Sequence, residues 1–423
     1  MLFREGPVIA PATVAPEAWA AAFAPERGAL VLAPGSSSGW LGGLTLVACD
    51  PEWSRFPAGD DTSPYSPSEA LSGAGSALDE VLGSRDGEGL CAVLLTYEGA
   101  ATVARFRRGL ARTPGGWRAW GDWRGGTPPQ PVEALPLPAS APLLLDAASD
   151  LDAGSFMRGV EAVREAVLAG DVYVLNLTRR VTGVPAASPG VLFASMLERT
   201  SASMAASWVM PDRALISASP ERFLSLGRGL VTVEPVKGTR PRHSSPERDA
   251  AAMSELSACE KELAEHVMVV DLERNDLGRA CSPGSIVVSP LAMLVSTPYC
   301  HQLASRVGGR LADGSGCAEL LAATFPCGSV TGAPKRSAML HISELESGPR
   351  EEYTGSLLVA VPGRLDSSVL IRSLVVRGDE AVYGVGGGIT IDSDPLLEWE
   401  ETIVKSIPAC GAAAAIDPAP LGR

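Results

Sequence analysis

Lys237 ends the apolar run of Glu234-Pro-Val-Lys-Gly-Thr-Arg240. In most proteins a lysine before a glycine at a strand end is a plain surface residue. Aimed into a cleft, the same amine is desolvated, stays neutral and becomes a nucleophile. Upstream stands Glu221, in Ser219-Pro-Glu-Arg-Phe-Leu-Ser-Leu226, followed by Gly227-Arg-Gly229 and Leu230–Val236. This pattern predicts a β-hairpin with a three-residue glycine loop. With Leu226 opposite Leu230, Glu221 faces Pro235, and Lys237 is its diagonal neighbour roughly 7–8 Å away on the same face. An acid and a nucleophile would then share one concave surface. A two-residue loop would shift the register by one and separate them.

Glu262 and Glu265 lie three apart on a predicted long helix, and Glu398 and Glu401 three apart on the last one. Each pair projects from one helical face. Taken singly, each pair reads as a solvated acidic patch; together they suit a shared Mg²⁺, a hard cation that takes oxygen ligands and keeps positions open. Lys405, one turn beyond Glu401, either binds an anion or pairs with that glutamate. Arg372, in Ser367–Val376, would share a strand face with Leu370 and Leu374, and a buried arginine needs an anion, structural or substrate. Gly386-Gly-Gly388 reads as a tight turn or as backbone amides closing on an anion. Gly328-Ser-Val-Thr-Gly-Ala-Pro-Lys335 fails the phosphate-loop pattern because Pro334 precedes the lysine. It remains a glycine turn at a helix N-terminus able to hold an anion, with Thr331 as its candidate contact. His301, one of four histidines, follows a strand, where a lone histidine is more often structural than catalytic.

The elements that must position these groups divide the 423 residues unevenly. Residues 1–123 form an N-terminal subdomain with apolar strands at 29–33, 44–49 and 90–97, and a helix opened by Ser66-Pro67. Residues 124–149 are proline-rich and read as a linker or exposed loop. Residues 150–410 form the main domain, and 411–423 a tail. In the main domain, Phe156, Val160, Val163 and Val167 recur at helical spacing up to Gly170. A strand spans 171–181, and a long helix runs from Ser245-Pro246 to about Val270, followed by a polar turn at 274–278. Asp394-Pro395 opens the final helix. Antiparallel strand clusters broken by isolated helices predict an α+β fold.

The formal charge of −14 argues against a nucleic-acid partner. The eight cysteines form no CxxC pair, so reduced thiols in a cytoplasmic protein are expected. No stretch approaches 18 continuous apolar residues, so no membrane span is expected.

Several of these stretches together resemble the chorismate-utilising synthases: anthranilate synthase component I, aminodeoxychorismate synthase component I, and isochorismate and salicylate synthases. The matching segments are Ser219–Phe223, Pro235–Arg240, Lys261–Asp271, Arg274–Arg279, His301–Leu311, Phe325–Lys335, Asp366–Val376 and Gly386–Lys405. The resemblance implies two packed antiparallel β-sheets surrounded by helices with a central cleft. Within the family, Lys237 selects the branch, because anthranilate synthases carry alanine there and aminodeoxychorismate synthases typically lysine. It implies that Lys237 attacks ring carbon 2 of chorismate while Glu221 protonates the departing 4-hydroxyl. Mg²⁺ on Glu262, Glu265, Glu398 and Glu401 would bind the ring carboxylate. Arg372, Lys405 and Gly386, Gly387 and Gly388 would hold carboxylates, and Thr239 and His301 would position the ring. Val174 stands where isochorismate synthases use a water-activating lysine. No glutaminase nucleophile elbow is found, so ammonia is expected from a separate glutamine amidotransferase subunit. The expected product is 4-amino-4-deoxychorismate, for 4-aminobenzoate and folate. The alternatives are anthranilate synthase component I and a non-catalytic partner of the amidotransferase.

Overall fold

The computed structural model describes residues 8–22, 28–34, 39–58, 68–84, 89–123, 127–200, 202–296, 300–414 and 419–420. Runs such as Leu90–Leu95 are apolar at every position and buried at every position, as strands covered on both faces must be. Their side chains alternate between two cores. Leu90, Ala92 and Leu94 pack with Leu30, Leu32, Leu46 and Ala48 in a layer between two sheets. Cys91, Val93 and Leu95 face the other way, onto helices Glu69–Leu82 and Cys317–Thr324. Val31 and Val47 likewise leave the central layer for an outer core with Leu192, Phe193 and Met196 of helix Pro189–Thr200. The fold is therefore α+β, two face-packed sheets with helices outside.

The large sheet has thirteen strands among the described residues, and the second has nine. In the large sheet Ala29–Leu32 pairs with Met204–Val209, and in the second Leu90–Leu95 pairs with Ser356–Val361. Both halves of the chain thus enter both sheets. A third sheet of Val236–Pro241, Cys300–Ala304 and Met293–Ser296 stands apart. The proline-rich stretch is laid onto the body: Ala134 and Leu143 are buried, and the Leu137 amide donates to Ser195 Oγ at 2.9 Å.

Five expectations change. The hairpin turns through two residues, with Gly227 opposite Leu230 and Leu226 opposite Val231. Arg228 and Gly229 both have positive φ, the mirror-image turn that matches strand twist. The hairpin then ends at Val233, and the chain leaves through Glu234-Pro235 into the third sheet. The long helix is two, Pro246–Ala258 and Glu260–Ala280, broken where Cys259 is extended. The supposed polar turn at 274–278 is helical. Ser367–Val376 is not one strand: Arg364–Val369 belongs to the second sheet and Ser373–Arg377 to the large one. Arg372, at φ 49°, makes the crossing and is exposed, so Leu370 and Leu374 are buried without it. Finally, Gly386–Gly388 is no turn; it lies inside strand Glu380–Ile389, paired with Thr178, Leu177 and Asn176. The helix start expected at Ser66-Pro67 lies outside the described residues; Ser68 Oγ accepts from the Leu71 amide as its N-cap.

Candidate active site

Three sheets and two helices bring the acid, the amine and the carboxylates together. Strand Glu380–Ile389 outruns its neighbour Ser373–Arg377, whose pairing stops at Leu374–Tyr383. From Gly384 onward one edge of that strand is open. A Cβ added at Gly387 would sit 3.3 Å from Glu398 Oε2 and 3.6 Å from Glu401 Oε1, and one at Gly388 would sit 3.5 Å from Lys237 Nζ. The glycines let both sets of groups close on the strand edge, which is a different use from the tight turn. Lys405 Nζ donates to the Gly386 carbonyl at 2.8 Å and reaches Glu401 at 2.5 Å, so it ties the last helix to the strand.

Glu221 precedes strand Arg222–Gly227. Burial pushes its carboxyl pKa up, opposed by the hydrogen bond from Ser329 and by the charges of Lys237, Arg372 and Lys405. Glu221 and Lys237 therefore meet although the expected hairpin register is wrong: the turn at Glu234-Pro235 carries Lys237 over from another sheet. Lys237 is half-buried and has no hydrogen-bond or ion-pair partner among the described residues.

The glutamate pairs face each other. Burial raises the pKa of Glu265; Lys237 and Lys261 counter it, and Glu262 and Glu401 add to it. Glu398 is raised by burial, with Glu401 adding to it and the Ser393 hydroxyl opposing it at 2.7 Å. Cations already reach three of these carboxylates, Arg240 on Glu262 at 3.2 Å, Lys261 on Glu265 at 3.9 Å and Lys405 on Glu401 at 2.5 Å; the all-oxygen set is of the kind a hard divalent ion takes. Among the described residues no three acidic, histidine or cysteine groups converge tightly enough to cage an ion unaided.

Arg372 contributes charge to this cleft from its exposed crossing, not from a strand face. His301 is buried, its Nε2 3.0 Å from Asp249 and its Nδ1 2.7 Å from Ser296. It lies two residues from Leu303, which pairs with Lys237, and so on the same face of the third sheet. Thr239 pairs with Gln302 in that sheet. The Thr331 hydroxyl is spent inside its own loop, on the carbonyls of Cys327 and Gly328.

Residues not singled out from the sequence also converge here. Ser329 donates to Glu221 Oε1 at 2.5 Å, and Arg240 holds Glu262 at 3.2 Å. His266 is buried with Nε2 2.5 Å from Ser305 Oγ; burial, then the Lys237 charge, hold its pKa down. Lys335, at 2% exposure, is locked to Asp276 at 2.6 Å and to the Thr324 carbonyl at 2.8 Å, so it is no anion-binding lysine. A signal for its partners existed: His266, Val269, Val270, Glu273, Asp276, Leu277 and Ala280 follow one helical stripe, and all are buried.

The family model for chorismate binding enzymes matches residues 127–410. An aminodeoxychorismate synthase of Streptomyces griseus is 37% identical over 285 residues, 67% of this chain and 39% of that one. An anthranilate synthase component 1 of Streptomyces coelicolor is 36% identical over 317 residues, 74% of this chain and 60% of that one. The chain thus spans less than two thirds of these relatives. The fold matches the menaquinone-specific isochorismate synthase of Escherichia coli with a TM-score of 0.74 at 17% identity, over 96% of this chain and 95% of that one. No helix among the described residues is long and apolar enough to cross a membrane.

Proposed function

The chain belongs to the chorismate binding enzyme family, and from that premise we propose that it aminates chorismate, as component I of an aminodeoxychorismate synthase. The observation that carries the reading is the free amine of Lys237 between the acid Glu221 and the open glycine edge, within electrostatic reach of Glu265. Lys237 attacks ring carbon 2. Glu221, whose carboxyl pKa burial pushes up, gives its proton to the departing 4-hydroxyl, which leaves as water. Ammonia adds at carbon 4 and expels the lysine, giving 4-amino-4-deoxychorismate. Arg372 and the backbone amides at the open edge of Gly386–Gly388 bind carboxylate oxygens; His301 borders the ring from the Lys237 face of the third sheet, whereas Thr239, opposite Gln302, belongs to the other face.

Glu262, Glu265, Glu398 and Glu401 would hold Mg²⁺, which when bound supplies a positive anchor for the ring carboxylate. Val174, 3.5 Å from a Cβ placed at Gly388, supplies an apolar wall where water activation would need a base. A glutamine amidotransferase subunit supplies the ammonia.

The test is product identification. Purified chain, chorismate, Mg²⁺ and ammonium salt should yield 4-amino-4-deoxychorismate, converted to 4-aminobenzoate by an added lyase. Anthranilate with pyruvate would assign the chain to the other branch of its relatives, and no turnover at all would leave it a silent partner.

A further inference from the structure

From Glu221 a largely buried polar chain runs through Ser329 and Cys327 to Glu273, and the proposed chemistry does not use it. Ser329 Oγ donates to Glu221 Oε1 at 2.5 Å; Cys327 Sγ lies 3.2 Å from Ser329 Oγ and 3.4 Å from Glu273 Oε1. Glu273 is 2% exposed, and its Oε2 has no partner among the described residues. Beyond it stand Asp276 and Lys335, both buried.

Charge counting decides the state of this cluster. One buried ammonium faces two buried carboxyls, and the exposed Arg279 adds its charge on the Asp276 side, not at Glu273. Lys335 is engaged with Asp276 and the Thr324 carbonyl, so Asp276 is the ionised partner and Glu273 is left without a cation. An unpaired buried carboxylate is costly and takes a proton instead. Burial, then the Asp276 charge, push the Glu273 pKa up; Lys335 and the Cys327 contact oppose that, and Glu221 adds to it.

A neutral Glu273 gives the chain one direction. A thiol has a single hydrogen and cannot serve Glu273 and Ser329 at once. If Glu273 were ionised, the thiol would turn to it and the Ser329 oxygen would lose its donor. If Glu273 is protonated, its O–H donates to Cys327 sulfur, the thiol to Ser329 oxygen, and the Ser329 hydroxyl to Glu221. Each donor then polarises the next. The loop is clamped for this: a Cβ at Gly328 would sit 2.6 Å from Leu272 Cδ2 and 3.0 Å from Glu273 Oε1.

We propose that Glu273 is a positioning residue that aims the Ser329 hydroxyl at Glu221 through Cys327, and so sets the strength of the catalytic acid. The inference rests on Glu221 acting as the acid in the proposed amination. The Ser329 bond stabilises ionised Glu221; without the Glu273 donor the thiol is no longer polarised and that bond weakens, which raises the Glu221 pKa, weakens the acid and moves the basic limb of the rate profile to higher pH. The charged and titratable groups around Glu221 are Lys237, Arg372, Lys405, Cys327 and Glu273 itself; a substitution at 273 leaves the first four in place, and removal of an ionised Glu273 would move the Glu221 pKa down, opposite to the shift expected for a neutral one.

Glu273→Leu should lower kcat about tenfold, leave KM for chorismate within about twofold and shift the basic limb upward. Glu273→Gln, whose amide still donates to sulfur, should recover most of that loss and restore the limb. Cys327→Ala cuts the chain elsewhere and should shift the limb as Glu273→Leu does, so an unfolded leucine variant does not end the test. Infrared spectra of the substrate-free protein at neutral pH should show a protonated buried carboxyl band that Glu273→Gln removes. Wild-type kcat and an unmoved limb in Glu273→Leu and Cys327→Ala would overturn the proposal, as would a carboxyl spectrum unchanged by Glu273→Gln. Failure of the wild type to form any ammonia-dependent product would count against the proposed function, and the infrared comparison would still judge the proton on Glu273.

Discussion

Lys335 and Lys237 share little but their residue type. Lys335 is sealed at 2% exposure with its ammonium paired to Asp276. Lys237 is half-buried, has no direct partner among the described residues and feels carboxylates only at a distance. Both are flanked by glycine or proline in the sequence, so local context does not separate them. Partners do: a paired buried lysine holds structure, and an unpaired one beside an acid is available for bond formation.

Substitutions sharpen that contrast. Lys237→Ala should reduce ammonia-dependent product by at least about 10⁴-fold with an unchanged Tm; measurable turnover near wild type would remove the amine from the chemistry. Lys335→Met should do the opposite, costing about 3–5 kcal/mol of stability because it strands the Asp276 carboxylate. Chemical denaturation reads this, and adding Asp276→Leu should return much of the loss. Glu221→Gln keeps shape but has no acidic proton, so kcat should fall about 10²-fold. In the wild type the sign is fixed by the raised Glu221 pKa: the protonated, active form is present below that pKa, and kcat is lost as pH rises through it. Glu401→Gln removes one charge from a set of four. It should raise the Mg²⁺ needed for half-maximal rate by about tenfold, with excess Mg²⁺ restoring turnover; an unchanged requirement would place the ion elsewhere.

The sequence made the fold class readable because doubly buried strands are apolar throughout and carry few alternatives. The glutamate pairs were readable because i, i+3 spacing survives any tertiary arrangement. Lys237 and Glu221 were named correctly as neighbours for a wrong reason: a one-residue error in the hairpin would have split them, but Pro235 ends the pairing and the chain reaches the site through a separate sheet. Arg372 was misplaced because a single positive φ breaks a perfect alternation, and alternation says nothing about which sheet each half joins. Asp276 was hidden by Asn275 and Gly278, which read as a turn, although the buried helical stripe continues through them. Ser329 and Cys327 were beyond reach, since only the packing of helix Glu260–Ala280 against their loop gives them roles.

Intact-protein and peptide mass measurement after mixing the chain with chorismate and Mg²⁺, without ammonia, asks directly whether the amine bonds to the ring. A gain equal to chorismate less one water, mapped to Lys237 and discharged when ammonium is added, is the predicted result. An unmodified chain that nonetheless turns over once ammonium is present, or an adduct on another residue, would contradict it.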